Sequence, residues 1–443
     1  MTAITLSAAR VIIAIVFLPW LALAAAIGPH RRDQLLWGPV PIINNKYWSA
    51  AMRLAGWKST TLVHSYYATI NEREDFDLFH EDLVPRWLGP RRLRIHLGAY
   101  FAFVYALRHA AVVHIPFSGG ALGETPLWPL EARLLRLAGV RTVIIPFGAD
   151  VFVYSRVADP VFRSALLSNY PEAARLEKRI AARISHWSRY ADVIVVGFTL
   201  DGLPRWDVPV GNMVCIDTDA WRPSTQRSGT STVKVLHAPN HRGVKGTEFL
   251  IRAVEQLQAE GLPVELVLLE RVPNEKVRQA MQEVDILADQ FICPGYGLAA
   301  IEGMASGLPV LCNLEREDAT RLFRLYSFLG ECPIVSTSPE TLVENLRALV
   351  TDPSLRRVLG QAGRSYTEKY HSYASAQYLF GSIYAKVLRN EDVDLMNLFH
   401  PLKSKYEHRL PQIDHPLLEG RLPKTWDDDG SPEPAVHREH RST

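Results

Sequence analysis

From Leu35 onward the chain alternates two kinds of pattern. Short runs bounded by Gly, Pro or polar residues read as strands: LLWG, TTLVHSYY, AVVHIPF, RTVIIPF and ADVIVVG, and later VKVLHA, VELVLL, VDILADQFI and LPVLC. The continuous apolar runs among them suit parallel strands buried on both faces. Between the runs, apolar residues recur at helical spacing. KYWSAAMRLAG predicts a helix closed by Gly56. PEAARLEKRIAARISHWSRY predicts one helix with Pro171 in its first turn and Leu176, Ile180, Ile184 and Trp187 on one stripe. TEFLIRAVEQLQAEG, NEKVRQAMQEV and GLAAIEGMASG follow as helices, and the chain from Pro353 to about Leu388 reads as helical. RRLRIHLGAYFAFVYALRHA, Arg91–Ala110, reads as a core helix of the first half, with a place at a membrane surface as the alternative.

Strand and helix in alternation predict an α/β protein of open, doubly wound sheets. The series occurs twice, with a polar stretch, STQRSGTST, between. The expected organisation is an N-terminal hydrophobic segment (1–30), a Rossmann-like domain (33–223), a linker (224–231), a second Rossmann-like domain (232–388) and a C-terminal extension (389–443). The end of that extension, DDDGSPEPAVHREHRST, is charged, Pro-containing and poor in apolar residues, so disorder is expected there.

The N-terminus departs from this rhythm. VIIAIVFLPWLALAAAIG, Val11–Gly28, carries no charge. It is slightly short of the ~20 apolar residues of a spanning helix and long for a soluble one. It fits a signal peptide with Arg10 as its basic start and ALAAA as a small-residue cleavage site. It equally fits an uncleaved anchor or re-entrant segment. Arg10 precedes it and Arg31 and Arg32 follow, so charge does not fix its orientation.

Composition narrows the classes. The chain has 443 residues, 47% hydrophobic and 22% charged, with net charge +2. That suits a globular protein of two domains or more and gives no basic patch for nucleic acid. The four cysteines, Cys215, Cys293, Cys312 and Cys332, form no CxxC pair. They read as free thiols of a reducing compartment, without the spacing of a zinc site. DFD (75–77), DTD (217–219) and DVD (392–394) are short acidic strings. DTD falls in what reads as an interdomain turn, where a turn or cap role is expected. No metal and no cofactor are expected. His114 and the other histidines read as structural.

Ligands of doubly wound sheets sit at the carboxyl ends of the strands, and two such loops in the second half stand out. In HAPNHRGVKGTEFLIRAV, Arg242 and Lys245 stand just before a helix that Thr247 is placed to cap. Two cations beside a helix N-terminus make an anion site; the plain alternative is a pair of solvated loop charges. In DQFICPGYGLAAIEGMASG, Gly295 and Gly297 allow a ligand close to the backbone. Glu302 is the one charge on the small-residue helix that follows. Ala299, Ala300, Gly303, Ala305 and Ser306 suit tight burial, and a carboxylate buried there needs a hydrogen-bonding partner. A ribose diol would suit it.

KGTEFLIRAV followed by YGLAAIEGMASGLPV resembles the C-terminal domain of bacterial retaining glycosyltransferases of the GT-B fold, glycosyltransferase family 4 (group 1). IDTDAWRP and FGADVF resemble first-domain turns of that family, and the likeness runs from about Leu35 to Leu388. The resemblance implies two Rossmann-like domains facing a cleft. It implies that Glu302 accepts hydrogen bonds from the ribose of a nucleotide sugar. Arg242 and Lys245 would neutralise the donor diphosphate, which is also the leaving group. The backbone of Gly295, Tyr296, Gly297 and Leu298, with Thr247 beside it, would lie against the donor. Asp150 would join Arg242 and Lys245 in catalysis, with Gly148, Gly38, Asn44 and Asn45 lining the cleft from the first domain.

Two positions depart from the family pattern. Pro294 stands where the family shows the first of two glutamates, and Phe147 stands where a histidine often precedes the Gly-x-Asp turn. The resemblance implies metal-independent transfer of a sugar, with retention, to a glycan or lipid-linked acceptor in cell-surface glycan synthesis. The alternatives are a nucleotide-sugar epimerase or hydrolase of the same fold, and a non-catalytic membrane-anchored relative. Nucleotide sugars are cytoplasmic in bacteria, so the expected placement is at the cytoplasmic face of the inner membrane, held by an uncleaved anchor.

Overall fold

The computed structural model describes residues 3–28, 32–68, 71–198, 200–224, 232–406 and 412–423. Most of the expected linker, and the expected disordered end at 427–443, lie outside these residues.

The first half comprises α1 (Ala3–Ala26), β1 (Gln34–Trp37), α2 (Asn44–Leu54), β2 (Lys58–Val63), β3 (Leu78–Phe79), α3 (Arg91–His109) and β4 (Ala110–Ile115). It continues with α4 (Trp128–Leu137), β5 (Arg141–Ile144), α5 (Pro160–Asn169), α6 (Pro171–Arg175), α7 (Glu177–Tyr190), β6 (Val193–Val196) and β7 (Val208–Pro209). The second half opens with β8 (Val233–His237), α8 (Arg242–Lys245), α9 (Thr247–Ala259), β9 (Val264–Leu268), α10 (Asn274–Met281) and β10 (Ile286–Ala288). Then come α11 (Leu298–Ala305), β11 (Val310–Cys312), α12 (Glu317–Tyr326), β12 (Val335–Ser336), α13 (Leu342–Thr351), α14 (Pro353–Tyr370) and α15 (Tyr373–Arg389).

The strands form two sheets, ordered β3-β2-β1-β4-β5-β6-β7 and β12-β11-β10-β8-β9. Their pairings are parallel. β4 and β6 are buried at every position, because helices cover both faces of the sheet. In each sheet the order reverses beside the first strand, β1 or β8, and the clefts open at those carboxyl ends.

Three expectations need correction. The helix expected over 171–190 breaks at Leu176, which is 51% exposed, so it leaves the stripe while Ile184 and Trp187 stay buried. β10 ends at Ala288, short of the run VDILADQFI. Isolated backbone bonds, Asp289 N to Leu311 O and Asn313 N to Gln290 O, carry the pairing slightly further. The chain then turns, with Phe291 N donating to Lys245 O and Cys293 N to Val244 O. Arg91–His109 is a core helix only over its second half. Gly98 to Leu107 supplies its buried residues, whereas Arg91, Arg92, Leu93 and Ile95 are exposed.

α1 lies along the first domain. Ala14, Leu21 and Ala25 are buried, Phe17 stacks on Tyr100 at 4.6 Å and Trp20 meets Phe101 at 5.1 Å. Ile12, Val16, Leu23 and Ile27 form the opposite stripe and are exposed. Over Ala8–Ala26 the helix is long and apolar enough to cross a membrane, with a mean hydropathy of 2.2.

α15 crosses back to the first domain. Gln377 Nε2 donates to Ala51 O at 2.8 Å, Tyr384 pairs with His114 Nε2 at 2.9 Å, and Phe380 sits edge-on to Trp37 at 4.8 Å. One apolar cluster therefore runs from Trp37 and Trp48 through Phe380 to Tyr366 and Leu287.

Candidate active site

The second domain brings its conspicuous residues together where β8, β10 and β11 end. His237 closes β8. Its ring bonds Ala288 O at 2.7 Å and Thr247 Oγ1 at 2.9 Å, tying two strands to the start of α9. Thr247 is thereby drawn inward and fully buried, and it is the first residue of α9 rather than its cap. The capping position is Gly246, at φ 75°, against which Phe291 and Ile292 pack too closely to admit a Cβ comfortably.

Arg242 and Lys245 form a helical turn of their own, α8, and face different ways. Arg242 is half-exposed and pairs with Glu248 and Glu270 at 2.7 and 2.9 Å. Lys245 turns inward. Its Nζ lies 2.5 Å from Asp289 Oδ1 and 2.9 Å from Gln290 Oε1. Burial pushes the lysine pKa down, and the Asp289 carboxylate more than reverses this, leaving it above its ordinary value.

Glu302 is 3% exposed. The small residues of α11 explain how. A Cβ on Gly303 would run into Leu287 of β10, and Gly363 of α14 packs on Met304 from the other side. Gly307, at φ 69°, follows the helix as its left-handed C′ residue. Glu302 Oε1 accepts a hydrogen bond from Asn274 Nδ2 at 3.3 Å, at the first turn of α10. Burial raises its pKa to about 8; Asn274 pulls the other way and the charge of Asp289 adds to the rise. Tyr47 of the first domain feels the same carboxylate: burial first, then Glu302, lifts its hydroxyl above the ordinary range.

The loop between β10 and α11 is wedged by the first domain. A Cβ on Gly295, at φ 85°, would overlap the ring of Phe198. The Tyr296 side chain points into the core, its hydroxyl 3.0 Å from both Tyr366 Oη and His371 Nε2. Its carbonyl accepts from Asn212 Nδ2 at 2.6 Å. Gly297 and Leu298 stay half-buried, and no Cβ contact would block a close approach at Gly297. Pro294 is buried.

The first-domain candidates organise loops. Asp150 is buried: Oδ1 accepts from Phe147 N and Gly148 N, and Oδ2 from Phe117 N. Burial lifts it to about 6 against the pull of those amides. Its carboxylate is thus turned to the backbone of two cleft-side loops. Glu131 is similar, taking Gly120 N and Leu122 N at 3.0 Å each, and burial raises it to about 7. Asn44 opens α2, and Asn45 in its first turn donates Nδ2 to Val40 O of the preceding loop. A Cβ on Gly38 would overlap the carbonyl of Leu62. His114 bonds Leu36 O and Tyr384, a structural role.

Among the described residues, no group of three or more His, Cys, Asp or Glu side chains is placed to hold a metal ion. In DTD, Asp217 Oδ1 accepts from Asp219 N and Ala220 N, closing the turn. Asn274, Tyr47, Asp289 and Gln290 went unremarked in the sequence. The last two continue an apolar run, and their signal was a charged and an amide side chain at the end of a buried strand.

Comparison with known proteins places this geometry. Residues 243–366 match the family model described as glycosyl transferases group 1. No curated protein sequence matches the chain. Among solved structures, sucrose-phosphate synthase from Thermosynechococcus elongatus is similar over 82% of this chain and all of its own, at 14% identity and a TM-score of 0.52. HepE from Anabaena, solved in complex with UDP, is similar over 80% of this chain and all of its own, at 11% identity and a TM-score of 0.50. The architecture is the GT-B fold.

Proposed function

We propose that the chain is a retaining glycosyltransferase that moves a sugar from a nucleoside-diphosphate sugar to a membrane-associated or glycan acceptor. The observation that carries this is Glu302, a carboxyl group buried on a slim helix and bonded by Asn274, in the same domain as the inward-facing Lys245. A ribose diol offers such a group two hydroxyl donors and offsets the cost of burying it. The group 1 match covers this part of the chain, and a neighbour of the same fold holds UDP.

In this reading the base and ribose lie against α10 and Glu302. The diphosphate faces Lys245 and the backbone N–H groups that open α11, while Arg242, on the same turn, is paired with Glu248 and Glu270. Negative charge grows on the diphosphate as the glycosidic bond breaks, and preorganised cations and amides stabilise it there. Asp150 acts by shaping the Phe147–Gly148 and Phe117 loops rather than as a free base. That favours transfer over an epimerase, which needs free carboxyl groups: Asp150 and Glu131 both spend their oxygens on backbone amides.

The two-faced α1 supports membrane association, one stripe on the protein and the other for lipid. The exposed Trp87 precedes α3, the helix on which α1 lies, and Arg91 and Arg92 are exposed in its first turn. Since nucleotide sugars are cytoplasmic in bacteria, this reading puts the domains on the cytoplasmic face of the inner membrane. Incubation with labelled UDP-, GDP- and ADP-sugars and bacterial membranes, followed by product analysis, tests the reaction. Label on a membrane-extractable acceptor with release of nucleoside diphosphate is the expected result. An altered free nucleotide sugar without transfer would support the epimerase instead.

A further inference from the structure

Lys245 is held by two side chains that no family motif singled out. Asp289 is 4% exposed and Gln290 7% exposed. The lysine ammonium has three donors. Asp289 Oδ1 and Gln290 Oε1 take two of them, at 2.5 and 2.9 Å. The amide end of Gln290 then reaches the loop before α11, donating to Gly295 O at 2.6 Å and Cys293 O at 3.2 Å. The same loop is pinned by Gly295 N to Asn313 O and by Cys293 N to Val244 O. The position where the group 1 likeness expects a carboxylate, 294, is a buried proline, and Phe198 fills the space over its neighbour Gly295. A carboxylate nevertheless enters this corner from the strand side, at Asp289.

We infer that Asp289 and Gln290 are positioning residues that hold Lys245 for the donor diphosphate and couple it to the Cys293–Gly297 loop, in place of the carboxylate missing at position 294. The inference rests on the nucleotide-sugar reading of the site. Without Asp289 a lysine in this enclosed place loses its counter-charge, and burial favours its neutral form. Without Gln290 the lysine and the loop move independently. Both side chains act through the ammonium, so their effect falls on ligands that place a second phosphate beside it.

Calorimetry with UDP, GDP and ADP, each against its monophosphate, tests this on wild type, Asp289→Asn, Lys245→Met and the double variant. We expect at least one diphosphate to bind wild type more tightly than its monophosphate. Asp289→Asn should narrow that preference about tenfold, or about 1.4 kcal/mol. The double variant should fall no further than Lys245→Met alone, because both changes remove one interaction. Asp289→Glu should restore part of the preference. A folded Asp289→Asn with the wild-type preference, or additive losses in the double variant, would overturn the inference. Should Asp289→Asn fail to fold, Gln290→Met carries the test, and an unchanged preference there overturns it equally. Failure of all three diphosphates to bind wild type would sink the nucleotide reading itself and this inference with it.

Discussion

A carboxyl group on a helix of Ala, Gly, Met and Ser is costly to keep charged, and Glu302 reports that cost through its pKa. Its folded value, about 8, lies above the ordinary 4.5. Between those pH values the folded state binds more protons than the unfolded state. The stability of the neutral form is therefore fully present below about pH 4.5 and is lost as pH rises to about 8. Such a shift corresponds to roughly 3–5 kcal/mol. Glu302→Gln should match wild type near pH 4.5 and exceed it by a few kcal/mol at pH 8.5, measured by urea unfolding without nucleotide. A difference independent of pH would mean that Glu302 is not held neutral by burial. Glu302 was legible in sequence because it is the one charge on a helix otherwise made of apolar and mostly small residues. Asp289 was not, because a polar pair at the end of VDILADQFI looks like a strand end until Lys245 is seen folded onto it.

The elements follow the apolar pattern where burial is two-sided and drift from it where burial is partial. β5 and β6 fall within RTVIIPF and ADVIVVG, and β4 begins one residue ahead of AVVHIPF; apart from Arg141, every residue of these three strands is buried. The break at Leu176 was not legible, since helical spacing shows that a stripe repeats and not where the chain must bend. Thr247 looked like a cap because it follows Gly246, but His237 claims its hydroxyl. α11 is the element most sensitive to size. Gly303→Val should cost about 1–3 kcal/mol by forcing Leu287 aside, and a variant with wild-type thermal stability would contradict the packing. α1 offers another test. Its contacts with Tyr100 and Phe101 belong to the folded domain, so the mature protein should retain residues 1–28 by intact mass. A mature N-terminus near Ala26 would remove the anchor.

At the scale of the whole molecule, two Rossmann-like units share one apolar cluster because α15 returns to the first domain. The run from Pro353 to Leu388 announced helices, and their amphipathic faces announced burial, but no local pattern says which domain a terminal helix will cover. Phe380 is fully buried between Trp37 and Trp48. Phe380→Ala should cost about 3–5 kcal/mol and split the calorimetric melt into two transitions as the domains uncouple. A single transition at the wild-type temperature would mean that α15 does not join them. His371 makes a related link: it bonds Val214 O at the exit from the first domain and Tyr296 beside α11. The site and the interdomain connection are thus built on shared residues. A thermal-shift screen of UDP-, GDP-, ADP- and TDP-sugars on wild type and Glu302→Ala tests whether Glu302 binds the donor nucleotide. We expect one nucleotide sugar to stabilise wild type and to lose most of that effect on Glu302→Ala; equal stabilisation of both proteins would contradict it.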